Sequence, residues 1–158
     1  MKKIVLFGLL LIMSTTLVKA FDQTEFELRV FELTNIERLN HGLPPLIWND
    51  TLSVSARNHA EDLMHNNMRG HTGSDGSTPR QRMERDGVTN GRYWAENISY
   101  GRNTPESVVA GWMNSPGHRA NILSEKSTHL GVGLVQRLEG MEAQYSTYCV
   151  QKFFAFME

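Results

Sequence analysis

Helix-type and strand-type sequence patterns are segregated along this chain, and that order restricts the folds open to it. Apolar residues recur every three or four positions over residues 24–40 and again over 50–66, which predicts two amphipathic helices. Two runs rich in β-branched and aromatic residues close the chain, 130–138 and 144–156, with Glu139-Gly140 between them as a hairpin connection. Helices that come first and paired strands that come last predict an α+β domain with helices packed on an antiparallel sheet.

Short elements and loops alternate in the middle of the chain. Residues 69–78 are rich in Gly, Ser and Asp and are predicted to form a surface loop. Thr78-Pro79 and Thr104-Pro105 each combine a capping residue with a proline at the first helical position, which predicts a third and a fourth helix. Between these helices, residues 92–100 form an aromatic segment of extended type. Ser115-Pro116-Gly117 is predicted to end the fourth helix.

The first twenty residues have the pattern of a cleaved secretory signal. Met1-Lys2-Lys3 supplies a charged start, an apolar run covers 4–13, and Ala20 is a small residue at the expected cleavage position. The apolar run is too short to cross, as a helix, a hydrocarbon core of about 30 Å. The sequence therefore predicts a signal peptide at 1–20, a secreted or periplasmic domain at 21–158, and no stable membrane span after cleavage.

Charge and cysteine content argue against several classes of function. The chain has 16 Lys and Arg against 17 Asp and Glu, interleaved along the sequence, so a phosphate-neutralising face is not indicated and nucleic acid is not expected as a partner. The only cysteine, Cys149, has no partner for an internal disulfide and is predicted to be a small buried residue. No nucleotide or other organic cofactor is indicated.

Three residues have the chemistry of a polar site. His71 and His118 each follow a glycine near a predicted element end, where their side chains can converge on a cleft. Glu96 lies in an apolar segment, and a buried carboxylate needs a cation or hydrogen-bond donors. Two imidazoles and a carboxylate suit Zn²⁺ with water as the fourth ligand, although their spacing is not itself a metal motif. His59, on the second helix, is predicted to be a core residue whose ring is satisfied by a neighbour.

The chain resembles the CAP superfamily, which includes cysteine-rich secretory proteins, plant pathogenesis-related proteins and venom allergens. The resemblance is to its disulfide-poor bacterial branch and covers almost the whole of 21–158. It rests on these segments, in order: Asn35–Arg38, Leu46–Trp48, Ala56–Ala60, His71, Glu96–Ile98, Trp112–Ser115, Gly117–Ile122, Gly131–Gly133 and Tyr148–Phe153.

The resemblance implies an α-β-α sandwich and a central cleft that holds two histidines and two acids in eukaryotic members. By position, His71 and His118 correspond to the histidines and Glu96 to the first acid. Ser115 stands where those members have the second acid, which weakens an enzymatic interpretation more than a binding one. Arg119 is expected either to pair with an acid that braces the cleft or to be exposed.

Three functions remain open at this stage. The first is a non-catalytic module whose cleft binds a divalent ion, with Zn²⁺ as the candidate, and an unidentified extracellular ligand or protein partner. The second is a metal- or His-assisted hydrolase of peptide or cell-wall material. In it Ser115 would need a histidine base and oxyanion donors to act as a nucleophile, whereas a simpler role for Ser115 is to cap the turn that follows it. The third is a lipid or sterol carrier.

Overall fold

The elements of the fold follow the predicted order, with helices predominating early and a strand pair last. The computed structural model describes residues 22–157, and the signal peptide predicted at 1–20 lies outside them. Within 22–157 the elements are α1 Gln23–Asn40, β1 Ile47–Trp48, α2 Asp50–His65, α3 Pro79–Arg85, β2 Gly91–Tyr100, α4 Pro105–Met113, α5 Pro116–Ile122, β3 His129–Gln136 and β4 Thr147–Phe156. The α+β class is confirmed. Over the same residues, no helix is long and apolar enough to cross a membrane.

Short polar side chains begin the helices where the sequence predicts them. The Asn49 side chain accepts a hydrogen bond from the Leu52 backbone N–H at 2.9 Å, so α2 begins at the residue that follows Asn49. Thr78 and Gln81 form a reciprocal capping box at the start of α3, and Thr104 caps α4. Local sequence chemistry therefore defines the starts of these three helices.

The four strands form one mixed sheet in the order β1-β3-β4-β2. β4 pairs antiparallel with both β2 and β3, as the sequence predicts for its strand-rich end. The two-residue strand β1 adds a parallel edge that the sequence did not indicate, because two residues are too few to show alternation. β2 forms the opposite edge of the sheet, and the cleft lies along it.

Helices cover both faces of the sheet, which confirms the α-β-α layering. One core joins α1, α4 and α5 to one face, and a second core joins α2 to the other. Leu130, Val132 and Leu134 of β3 belong to the first core, whereas Gly131 and Gly133 lie against the backbone of α2. Because β2 is an edge strand, groups from both layers can meet around it.

Candidate functional site

Three adjoining surface pockets follow β2 and form one depression, which we call the β2 groove. Their cavity volumes are about 280, 400 and 410 Å³. The first and second pockets share four residues, and the second and third share His71. The groove is lined by Arg69, Gly70, His71, Thr78, Pro79, Arg80, Trp94, Ala95, Glu96, Ile98, Ser99, Tyr100, Arg102, Gly111, Trp112, Ser115, His118, Asn121 and Tyr145. A larger cavity of about 900 Å³, beside the starts of α1 and α4, contains none of the predicted site residues.

Glu96 is a buried carboxylate surrounded by cations and imidazoles. His71 Nδ1 lies 2.9 Å from its Oε1, Arg82 Nη2 lies 3.1 Å from its Oε2, and Lys152 Nζ lies 3.7 Å from Oε2. Lys152 faces Glu96 directly across the β2–β4 pair. Burial alone would raise the pKa of Glu96, but the hydrogen bond from His71 and the positive charges of Lys152 and Arg82 hold that pKa below its ordinary value. Glu96 is therefore ionised and orients His71, whose side chain is 52% exposed.

His59 belongs to the Glu96 cluster. It is fully buried on α2, with Nε2 3.3 Å from the Gly70 carbonyl oxygen and 3.7 Å from Glu96 Oε1. Burial lowers the pKa of His59 to about 4, so its ring is neutral near pH 7. The sequence predicted its burial and a satisfying neighbour, but did not connect it with Glu96.

Arg82 and Lys152 were not among the residues that the sequence singled out. Both are buried and both face the carboxylate of Glu96. The sequence could have predicted an acidic partner for Lys152, because a lone lysine inside the apolar run of β4 needs an acid if it is buried. No such prediction was possible for Arg82, since an arginine on a short helix is ordinarily exposed.

Two asparagines fix His118 beside His71. Asn97 Nδ2 donates to the His118 carbonyl oxygen at 3.1 Å, and Asn121 Nδ2 donates to Asn97 Oδ1 at 2.9 Å and to the Glu96 carbonyl oxygen at 3.3 Å. These bonds tie α5 to the edge of β2. His118 is half-buried, and burial together with the neighbouring His71 lowers its pKa.

The segment around Ser115 differs in part from the prediction. The fourth helix ends at Met113, before residues 115–117, as predicted, but Pro116 also starts a further helix, α5, that was not predicted and that contains His118. The physical reason is that proline is favoured at the first position of a helix. Ser115 occupies the N-cap position without making the expected side-chain cap, and it lines the same pocket as His118.

Arg119 lies outside the groove. It is exposed, and its Nη2 lies 3.0 Å from His41 Nε2, so its partner is the histidine at the end of α1 and not an acid that braces the cleft. The structure therefore brings together four of the five predicted site residues, namely His71, Glu96, His118 and Ser115.

The predicted metal ligands fit an ion only in part. Among residues 22–157, no group of three or more His, Cys, Asp or Glu is arranged to hold a metal ion. The Glu96 oxygens already contact His71 and Arg82, so this carboxylate supports a histidine instead of offering itself as a ligand. His71 and His118 line the same pocket, and binding of Zn²⁺ between them stays a prediction.

Comparison with a family model and with a curated relative gives consistent results. Residues 31–153 match the model described as "CAP: Cysteine-rich secretory protein family". "Uncharacterized protein YkwD" of Bacillus subtilis (strain 168) is 42% identical over 123 residues, which are 78% of this chain and 48% of that protein. The chain thus spans less than half of this relative.

Two solved structures share the fold. An extracellular protein containing a SCP domain from Bacillus anthracis str. Ames superposes with a TM-score of 0.74 at 32% identity, over 84% of this chain and 41% of that one. An outer surface protein from Borrelia burgdorferi superposes with a TM-score of 0.77 at 23% identity, over 87% of this chain and 97% of that one. The second likeness bears on the fold alone.

Proposed function

Because the chain belongs to the CAP family of cysteine-rich secretory proteins, we propose that it is an extracellular binding module whose ligand lies in the β2 groove across His71 and His118. The observation that carries this proposal is the Glu96–His71 hydrogen bond, with His118 in the same pocket. A buried acid that orients a half-exposed histidine within a groove is typical of a binding site. The extracellular location is supported by the signal pattern at 1–20 and by the extracellular SCP-domain protein that the chain resembles.

The tautomer of His71 determines what the groove can bind. Glu96 is ionised and accepts from Nδ1, so Nδ1 carries the proton in the neutral ring and Nε2 has a free lone pair. The lowered pKa of His118 favours the neutral form of that ring. Two neutral imidazoles can accept hydrogen bonds from a ligand or hold a divalent ion such as Zn²⁺, whose remaining positions would be filled by water or by the ligand.

A hydrolase is the second candidate, and one observation favours it. Glu96 and His71 have the relation of an orienting acid to a general base. The acid that eukaryotic members place at the position of Ser115 is absent, however, and among residues 22–157 the Ser115 hydroxyl makes no hydrogen bond to a histidine that could act as its base. We therefore place binding ahead of catalysis. No observation on residues 22–157 favours the lipid or sterol carrier.

Calorimetric titration with Zn²⁺ tests the role of the histidine pair. We expect one equivalent to bind to the wild-type protein and at least tenfold weaker binding to a His71→Ala, His118→Ala double variant, because both imidazole ligands are lost. A His41→Ala, His65→Ala variant is the matched control, since it removes two exposed histidines outside the groove. Equal and negligible heats from all three proteins would remove the metal from the proposal.

A further inference from the structure

Arg69 is held by aromatic rings at one end of the β2 groove. Its guanidinium carbon lies 5.3 Å from the centroid of the Tyr100 ring and 5.6 Å from that of Tyr145. The two rings are 5.2 Å apart, and Tyr100 is itself fixed because its hydroxyl accepts from the Gly70 N–H at 2.8 Å. Within residues 22–157, Arg69 makes no salt bridge. It is an exposed charge that two aromatic rings hold in place.

Arg102 lies in the same end pocket, and a glycine makes room for it. A Cβ at Gly111 would fall 2.6 Å from Arg102 Nε and 2.7 Å from its guanidinium carbon. The guanidinium therefore packs on the bare backbone of α4, and in the described part of the chain it forms no ion pair with an acid. The residues that line this pocket include two arginines and no acid.

A hydroxyl without a partner lies in that pocket as well. Ser99 is 7% exposed, and its Oγ has no hydrogen-bond partner among the residues that the structure describes. A buried hydroxyl left unpaired costs free energy, and a small local shift would be needed before a ligand could contact it. The two guanidinium groups that line the pocket are a donor set suited to an oxyanion, above all a carboxylate.

Positive charge is not spread along the whole groove. The middle pocket shares Arg69, Ile98 and Tyr100 with the end pocket and adds no further arginine or lysine. At the far end, Arg80 is neutralised by Glu84 at 2.7 Å, and the indole N–H of Trp94 finds no acceptor between residues 22 and 157. A polymer with a charge on every unit would place most of its charges over apolar or neutralised surface. A peptide with one carboxylate near one end matches this pattern, because only its charged end needs the two arginines.

We propose that the Arg69–Arg102 pocket binds the carboxylate of an acidic peptide whose uncharged remainder follows the groove past His118 and His71. This inference deepens the proposed function and rests on it. The pocket selects the ligand by charge, while His118 belongs to its lining and His71 lies in the adjoining pocket of the same groove.

Affinity for two blocked hexapeptides, one with a single Glu and one with Gln in its place, tests the inference on the mature protein. We expect the Glu peptide to bind about tenfold more tightly, the factor that one charge-assisted pair of about 1.4 kcal/mol provides. An Arg69→Gln, Arg102→Gln variant should bind the two peptides within a factor of two. An Arg29→Gln, Arg85→Gln variant carries the same change in net charge outside the groove and should keep the tenfold preference.

Gly111→Ala tests whether the position of the Arg102 guanidinium matters in addition to its charge. The variant keeps both arginines, but the added Cβ displaces this guanidinium. We expect it to lose much of the preference for Glu while its free energy of unfolding is unchanged or higher, since alanine favours a helix.

Equal affinity of the wild-type protein for both peptides would overturn the inference, as would a preference that survives in the Arg69→Gln, Arg102→Gln variant. Tight binding of inorganic polyphosphate without discrimination between the peptides would also overturn it. The Zn²⁺ titration is independent of these arginines, so a positive Zn²⁺ result beside a negative peptide result would refute the carboxylate pocket and leave the histidine site standing.

Discussion

Glu96→Gln is expected to lower the free energy of unfolding at pH 7 by about 3–5 kcal/mol, the range for removing one partner from a buried ion pair. The substitution keeps the size of the side chain but leaves Arg82 and Lys152 buried without the carboxylate that both of them face. Urea denaturation measures the loss. Glu84→Gln is the matched control, because it removes an exposed pairing with Arg80 and should cost less than about 1 kcal/mol.

The loss should become smaller at alkaline pH. Burial lowers the pKa of Lys152 to about 8, so above that pH the lysine in the folded protein is neutral and no longer needs Glu96. Above that pH, the loss in the free energy of unfolding caused by Glu96→Gln comes mainly from Arg82, which stays charged. If Glu96→Gln cost no more than Glu84→Gln at pH 7, the buried ionic cluster would not be the support of His71 that we infer.

Gly133→Ala is expected to destabilise the protein by at least about 3 kcal/mol or to prevent folding, at or above the upper end of the range for overpacking. A Cβ at this position would overlap the backbone of Arg57 and Ala56 in α2. Backbone atoms cannot turn aside as a flexible side chain can, so the whole helix would have to move off the sheet. Urea denaturation measures this effect too.

Gly117→Ala is the matched control for Gly133→Ala. Gly117 lies in α5, and an added Cβ would meet nothing within 4 Å. The free energy of unfolding of the Gly117→Ala variant should stay the same or rise by up to about 1 kcal/mol, because alanine is the better helix former. Similar stabilities for the two variants would show that α2 does not pack on β3 as closely as described. Such a result would also argue against the described arrangement of the site, since His59 of α2 lies next to Glu96.

The features that could be predicted from sequence are those that local chemistry determines. Thr78 and Thr104 begin helices because a capping side chain followed by proline acts within one turn. The same local reasoning correctly ended α4 before residues 115–117 but did not predict α5, because the sequence does not show whether a proline that follows one helix also starts the next. The two-residue strand β1 left no periodic signal at all.

The prediction that His71, Glu96 and His118 converge rested on the resemblance to a family and not on their spacing in the sequence. The three residues come from a loop, a strand and a helix, and only the folded chain brings them to one edge of the sheet. The partners of Glu96 were missed for the same reason. Arg82 is 14 positions away on α3, and the pairing with Lys152 depends on the register of β2 with β4, which no local pattern encodes.

The most direct test of the account is the nitrogen NMR spectrum of the His71 ring, recorded where the imidazole is neutral. An ionised, buried Glu96 that accepts from this ring requires the proton on Nδ1 and leaves Nε2 bare in the groove. The account predicts that tautomer in the wild-type protein. A His71 ring with its proton on Nε2 would contradict it, because Nδ1 could then not donate a hydrogen bond to Glu96. The groove would lack its oriented histidine.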